Sequence, residues 1–232
     1  MNPFLTVSVL GGILALDLRS SIRIMVSQPI CGGFLTGLVL GSPVEGFFAG
    51  ALFQMIFLGN VDLRGNGILD LPMGGVTASA LYILTLREFS GDPSVNGFIL
   101  SCSILIGILA VGVGQAFYLW WEDASVVLAV RAIRYVKEGR YRTVSAIHLS
   151  FLAIHFIYAF LFLIVVVPTG RFLISNAAFH LPGFLSGNLG QLYLLVPFIG
   201  IGSLLRLFTS RSKVFWFASG FLLTAMAVIV FG

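Results

Sequence analysis

Charge is what this chain has least of. Asp, Glu, Lys and Arg make up 9% of its 232 residues, against about 25% in soluble domains. With 58% of residues apolar, water is excluded as its main solvent, and the chain reads as an integral membrane protein. The two cysteines, Cys31 and Cys102, fall inside apolar runs without metal-ligand spacing, so neither a disulfide framework nor a thiolate metal site is indicated, and inert thiols are expected. Histidine is equally scarce: His148 and His155 stand seven residues apart, about 10.5 Å of helical rise, too far to share a metal at about 2.1 Å from each ring. They are suited instead to hydrogen bonds between helices. No Walker loop, dinucleotide fingerprint or HExxH pattern is present. Asp17, Asp62 and Asp70 do not sit centrally in separate long spans, which argues against intramembrane proteolysis. No cofactor or metal is expected. The net charge of +4 lies mainly in two short loops between apolar segments, a topology signal rather than a nucleic-acid footprint.

What is present is a series of apolar blocks along the whole length, leaving no room for a soluble domain of about 100 residues. Residues 1–232 are therefore expected to form one all-α, polytopic membrane domain. Residues 4–16 have no basic residue before them and a charged exit at Asp17 and Arg19, so they read as a retained membrane segment rather than a signal peptide. At about 20 Å this run is short of a hydrocarbon core of about 30 Å. If the helix continues to residue 27, it carries Asp17, Arg19 and Arg23 into the membrane or its interface. There Asp17 pairs with Arg19 or Arg23, or the segment is an interfacial loop with snorkelling arginines.

Residues 28–72 hold the least ordinary pattern. Two apolar runs, 29–41 and 46–59, are each too short to span and are joined by Ser42-Pro43-Val44-Glu45, so they should be antiparallel neighbours. Gly33, Gly37 and Gly41, with Gly46 and Gly50, let helix backbones approach closely. Such a pair makes a re-entrant hairpin, tolerated at membrane depth only when surrounded by protein or lining a wet cavity, and transporters bind substrate at broken segments of this kind. A plain pair of tilted helices fits the pattern too. Beyond Gly59 the chain turns polar, with Asn60, Asp62, Arg64, Asn66 and Asp70. Amides and carboxylates in this density offer the donors and acceptors that the vicinal hydroxyls of a sugar require; the same composition suits a solvated loop.

An apolar helix is expected from about Val76 to Leu86, a turn at residues 90–93, a full span over 96–120 with Trp120 and Trp121 at the interface, and an amphipathic, cytoplasmic-side helix over 122–142 lying on the membrane or on a partner. Spans over 144–168, 189–208 and 214–231 follow, with a polar outer segment at 169–188 and a second basic loop at Arg206, Arg211 and Lys213.

Asp17, Ser27-Gln28-Pro29, then Leu35-Thr36-Gly37-Leu38-Val39-Leu40-Gly41-Ser42, Gly46, Gly50, Gln54 and Gly59 resemble, in order and without a gap, the motif of the IIC component of the mannose–fructose–sorbose class of the bacterial sugar phosphotransferase system. Ala146-Ile147-His148-Leu149-Ser150 resembles a further segment of that family. The resemblance implies a multi-pass, sugar-conducting permease subunit of the bacterial inner membrane, in an oligomer with a IID membrane subunit. Phosphoryl groups come from soluble IIA and IIB domains, which carry the phosphohistidine chemistry. It also implies sugar contacts at Gln54 and the loop from Asn60. The candidate substrate-binding set is Gln28, Gln54, Asn60, Asp62, Asn66 and Asp70, with Gly33, Gly37, Gly41, Gly46, Gly50, Asp17 and Arg19 as structural residues. The chain departs from the family at Gln28 (usually Arg), Ser42 (usually Asp) and Pro72-Met73 (usually Pro-Asp), where Asp70 is the nearest carboxylate. A binding or regulatory module that has lost transport, and a secondary transporter independent of phosphotransfer, are the competing functions.

Overall fold

The computed structural model describes residues 2–19, 24–59, 69–89, 93–180 and 183–205, together with Phe215 and Ser219. The chain is helical throughout these residues: α1 (Pro3–Arg19), α2 (Pro29–Leu40), α3 (Pro43–Ile56), α4 (Leu71–Leu86), α5 (Pro93–Lys137), α6 (Tyr141–His180), α7 (Gly183–Leu189), a 3-10 turn (Leu192–Leu195) and α8 (Val196–Leu205). Among the described residues three stretches are long and apolar enough to cross a membrane, Val95–Trp121, Tyr141–His180 and Gly187–Leu205. Their outward side chains are apolar, as lipid requires; Leu109, Phe172 and Phe198 are each at least 68% exposed.

Proline and glycine set the hairpin. Pro29, Pro43 and Pro72 each occupy a first helical turn, where a missing N–H costs nothing and φ is already helical. Helix α2 ends at Gly41, whose φ of 75° is left-handed. Its N–H bonds Leu38 O at 3.1 Å and the Ser42 N–H bonds Gly37 O at 2.8 Å, the pairing of a Schellman stop. The turn sends α3 back along α2 with almost no side chain between them: a Cβ at Gly33 would lie 2.5 Å from Gly46 O, one at Gly37 2.5 Å from Ser42 O, and one at Gly50 2.5 Å from Pro29 O. With 12 and 14 residues the two helices reach about 18 and 21 Å, short of the hydrocarbon thickness of about 30 Å, so they enter and leave on one side.

Helix α4 is the core. Every residue from Pro72 to Thr85 is buried, enclosed by α1, α2, α3, α5 and α6. Gly75 lies against Pro29, and Gly74 against Phe53 and Gly107. Hydroxyls in this apolar interior bond their own helix: Thr36 Oγ1 donates to Gly32 O at 2.7 Å, Thr77 Oγ1 to Met73 O at 2.6 Å and Ser103 Oγ to Ile99 O at 2.7 Å. No water is needed to satisfy them. At the far end of α4, Arg87 donates to Leu40 O and so holds the hairpin tip, a cation at a helix C-terminus. Its neighbour Glu88 accepts from Arg171 Nε at 2.7 Å and from the Ser175 hydroxyl.

Three boundaries differ from the sequence expectation. Helix α4 begins at Leu71 rather than near Val76, because Gly74 and Gly75 serve close packing and do not break the helix. The amphipathic stretch is not a separate element but the continuation of the 45-residue α5; its Val126, Val127, Val130, Ile133 and Val136 are exposed. Helix α6 runs through Pro168 to His180, so most of the expected outer loop is helix. Trp120 and Trp121, with ring centroids 6.3 Å apart, face different ways: Trp120 is 67% exposed, while Trp121 turns inward against Phe151 and His155. The basic loop at Arg206, Arg211 and Lys213, and all of the span over 214–231 except Phe215 and Ser219, lie outside the described residues.

Candidate functional site

The open base of the hairpin gathers the N-termini of α2 and α4 and the C-termini of α1 and α3. Residues 24–28 lead into α2 through Met25, which has a φ of 62°, a left-handed conformation that costs a non-glycine residue about 1–2 kcal/mol. Asp17 holds this turn in place. Its buried carboxylate accepts the Ile24 N–H at 2.9 Å on Oδ1 and the Ser27 N–H at 3.1 Å on Oδ2. Asp17 therefore binds main chain directly. The side chain of Arg19 and all of Arg23, its expected partners, lie outside the described residues.

Gln54, near the end of α3, crosses to the start of α2, where its Oε1 accepts the Ile30 N–H at 3.0 Å. This satisfies one of the four donors that a helix start leaves open, and it ties the hairpin at its base. The amide nitrogen is the end of Gln54 that can address a ligand. Gln28 is the N-cap of α2, half-buried, and makes no side-chain capping bond.

Asp70 precedes α4 and is buried. It is pressed onto α5 at Gly114, where a Cβ would come within 2.7 Å of Asp70 Cβ and 3.0 Å of Oδ2. Because Gly74 meets Gly107 and Asp70 meets Gly114, α4 and α5 run antiparallel; the hairpin base, where Phe53 also meets Gly107, lies level with Gly107, and the turns of α5 after Gly114 run on past Asp70. On those turns and the facing turns of α6 stands an aromatic seam. Phe117 stacks on Tyr158 with centroids 3.7 Å apart, and Trp121 packs at 6.1 Å from Phe151 and edge-on to His155 at 6.4 Å. The His155 Nδ1–H donates to the Phe151 carbonyl at 2.9 Å; a carbonyl cannot donate, so this nitrogen carries the proton.

Gln28 and Gln54 thus meet at the start of α2, with Asp17 beside them, while Asp70 stands more than a turn before Gly75, the residue of α4 that lies against Pro29. Asn60, Asp62 and Asn66, with Arg64, lie outside the described residues, in the connection that leaves α3 at the base and returns to α4 at Asp70. Gln115 on α5 and Tyr158 in the aromatic seam, whose polar side-chain atoms are buried, were not singled out from sequence. The signal available there was a carboxamide, Gln115, inside an otherwise apolar run. Two helix starts, a carboxylate and two carboxamides under an aromatic seam can bind a neutral polyhydroxylated molecule. Among the described residues no group of three or more His, Cys, Asp or Glu is placed to hold a metal.

Comparison with known proteins agrees with this geometry. A solved chain described as "Structure of membrane protein" superposes with a TM-score of 0.73 at 19% identity, covering 98% of this chain and 91% of its own. A chain of the "CryoEM Structure of Mannose Transporter ManYZ and Microcin E492 (MceA) complex" superposes with a TM-score of 0.57 at 17% identity, covering 96% and 86%. At these identities the two establish the fold. The "PTS system sorbose-specific EIIC component" of Klebsiella pneumoniae is 22% identical over 196 residues, 84% of this chain and 70% of that protein. The EII-Sor family, described as "PTS system sorbose-specific iic component", matches residues 3–231. The chain belongs to that family, and is a IIC permease subunit of a mannose-class sugar phosphotransferase system in the bacterial inner membrane.

Proposed function

We propose that residues 1–232 act as one membrane domain that binds a monosaccharide at the hairpin base and passes it inward to be phosphorylated. The observation that supports this reading is the placement of Gln28 and Asp70 just before α2 and α4 and of Gln54 against the start of α2, two helices whose first turns meet at Pro29 and Gly75. Helix starts present N–H groups and positive potential, the carboxamides and carboxylate supply directional acceptors, and the surrounding helices exclude lipid. Asn60, Asp62 and Asn66 complete the set from the connection between α3 and α4. The chain works with a IID membrane subunit in an oligomer, and soluble IIA and IIB domains deliver the phosphoryl group; its own residues bind and release sugar without a covalent step. Lipid covers the apolar outer faces of α5 and α6. The sorbose in the relative's description makes that ketose the first sugar to test, with mannose second.

The experiment is uptake into inverted or right-side-out vesicles carrying this chain and its IID partner, with purified IIA, IIB and phosphoenolpyruvate and a labelled sugar. Accumulation of sugar phosphate that requires IIB is expected. Uptake that proceeds equally well without the soluble proteins, driven by an ion gradient, would replace the reading with secondary transport. Binding without uptake would leave a binding module.

A further inference from the structure

The main chain of Gln28 is held from two sides, and its own side chain takes no part in holding it. On the helix side, its carbonyl accepts the Gly32 N–H at 2.8 Å, Pro29 is pressed against Gly75 of α4, and the Ile30 N–H goes to Gln54 Oε1 at 3.0 Å. These contacts fix the peptide plane that joins Gln28 to Pro29. The freedom that remains is rotation about the Gln28 Cα–C bond, which swings its nitrogen and its Cβ together. That rotation is fixed at a ψ of 140°, because the Gln28 N–H donates to Met25 O at 3.2 Å. The turn before α2 therefore aims the Gln28 side chain. A residue in this position ordinarily turns its side chain back onto the first N–H groups of the helix. Here Pro29 has no N–H to offer and Gln54 has taken the one at Ile30, and the Gln28 carboxamide makes no capping bond.

That turn is not one the chain favours by itself. Met25 is left-handed, with a φ of 62°, and its side chain is 67% exposed, so packing does not hold it there. The buried Asp17 carboxylate does, by accepting the Ile24 N–H on one oxygen and the Ser27 N–H on the other. Charge-assisted bonds are the stronger class, and two of them outweigh the strain of one left-handed residue. We propose that Asp17 is a positioning residue of the sugar site: acting through residues 24–27, it aims Gln28 at the ligand without touching the ligand itself. The role rests on the proposed function, in which Gln28 contacts the sugar, and it extends the site to α1.

The test is a double-mutant cycle between Asp17→Asn and Gln28→Ala in the complex of this chain with its IID partner. It reads the Kd of labelled sorbose and labelled mannose in nanodiscs, and KM and kcat of uptake with IIA, IIB and phosphoenolpyruvate present. Each single variant is expected to weaken binding about five- to tenfold, the loss of one net hydrogen bond, and to raise KM by a similar factor while kcat stays within about twofold. With Gln28 already replaced, Asp17→Asn should weaken binding by less than about twofold further, because its effect passes through the missing side chain. Met25→Gly, which takes the left-handed φ without strain, is added to every arm of the cycle if Asp17→Asn alone assembles poorly. Losses that multiply across the cycle would overturn the proposal, as would an Asp17→Asn complex that binds sugar as wild type does. An Asp17→Asn chain that forms no complex even with Met25→Gly would overturn it too, since Asp17 would then serve folding alone. A wild-type complex that neither binds nor takes up either sugar would instead refute the underlying function.

Discussion

Replacing Gly33 by Ala tests whether the hairpin depends on backbone contact. The added Cβ would lie 2.5 Å from Gly46 O, 2.7 Å from Ser79 Oγ and 2.8 Å from Gly50 Cα. Two of these neighbours are main chain of the facing helix and cannot rotate aside, so α3 must retreat from α2 by about half an ångström or more, at an overpacking cost of about 1–3 kcal/mol. For a chain of this length each kcal/mol is worth about 2–4 °C, which gives a fall of about 2–12 °C in the melting temperature of the detergent-solubilised complex, read as the loss of its size-exclusion peak on heating. Gly112→Ala is the matched control, since a Cβ there meets nothing within 4 Å; it should melt at or slightly above wild type. Gly33→Ala and Gly46→Ala relieve one shared contact, so the double variant should lose less than the sum of the two. A Gly33→Ala complex that melts with the Gly112→Ala complex would refute the argument.

Asp17→Asn keeps one acceptor oxygen and loses the other, leaving either the Ile24 or the Ser27 N–H without a partner; a loss of about 1–3 kcal/mol should appear in the same melting assay, together with faster proteolysis between α1 and α2. At Met25, with its φ of 62°, a β-branched residue fits the left-handed region worst, so Met25→Val should lower stability by about 1 kcal/mol or more, whereas Met25→Gly should melt at wild-type temperature or above. The Glu88–Arg171 pair has both side chains 30% exposed, so Glu88→Gln should cost at most about 1 kcal/mol. The effect should shrink at high salt, and melting of the charge-swapped double variant against each single variant checks it.

Much of this site was legible in the sequence because helix length, turn chemistry and glycine spacing are local properties. The Ser42-Pro43 turn, the short runs on either side and the glycines at 33, 37, 46 and 50 are enough to draw the hairpin, and the structure joins these elements by the expected tight, antiparallel contact. Gly41 stands apart: its place follows from a left-handed φ, and a Cβ there would meet only Arg87 Nη2, at 3.9 Å. The misplaced boundaries have one cause in common. Helix α4 runs through Gly74 and Gly75 and α6 through Pro168, because in a packed membrane core glycine marks a close approach and a proline is absorbed by neighbouring structure. The partners of Asp17 and Gln54 were hidden for a different reason. Both bind main-chain N–H groups of other segments, and no property of a side chain's own neighbourhood records such a bond. Trp121 could not be told from Trp120 because a helix separates consecutive residues by about 100°, and which one faces inward depends on where α6 lies.

Helix length builds the polar layer itself. Helices α1, α2, α3 and α4 have 17, 12, 14 and 16 residues, about 18–26 Å each, while α5 and α6 have 45 and 40. The short helices end where the long ones continue, so open N–H and C=O groups, with Asp17, Gln28, Gln54 and Asp70 beside them, occur at a level where α5 and α6 are still unbroken. In lipid those ends would be intolerable. Here Asp17 and Gln54 satisfy some of them from within, and the aromatic turns of α5 and α6 screen the rest. A polar layer held between short helices and a continuous aromatic wall is accessible to a hydroxylated solute only by displacement of one against the other. A substitution that locks Asp70 away from Gly114 should therefore affect transport before it affects stability. Gly114→Ala, whose Cβ would come within 2.7 Å of Asp70 Cβ and so displace the start of α4, separates the two effects: vesicle uptake should fall at least tenfold while the melting temperature drops by about 2–12 °C, the cost of one overpacked contact. Equal losses of uptake and of folded complex would show that the layer is ordinary core packing.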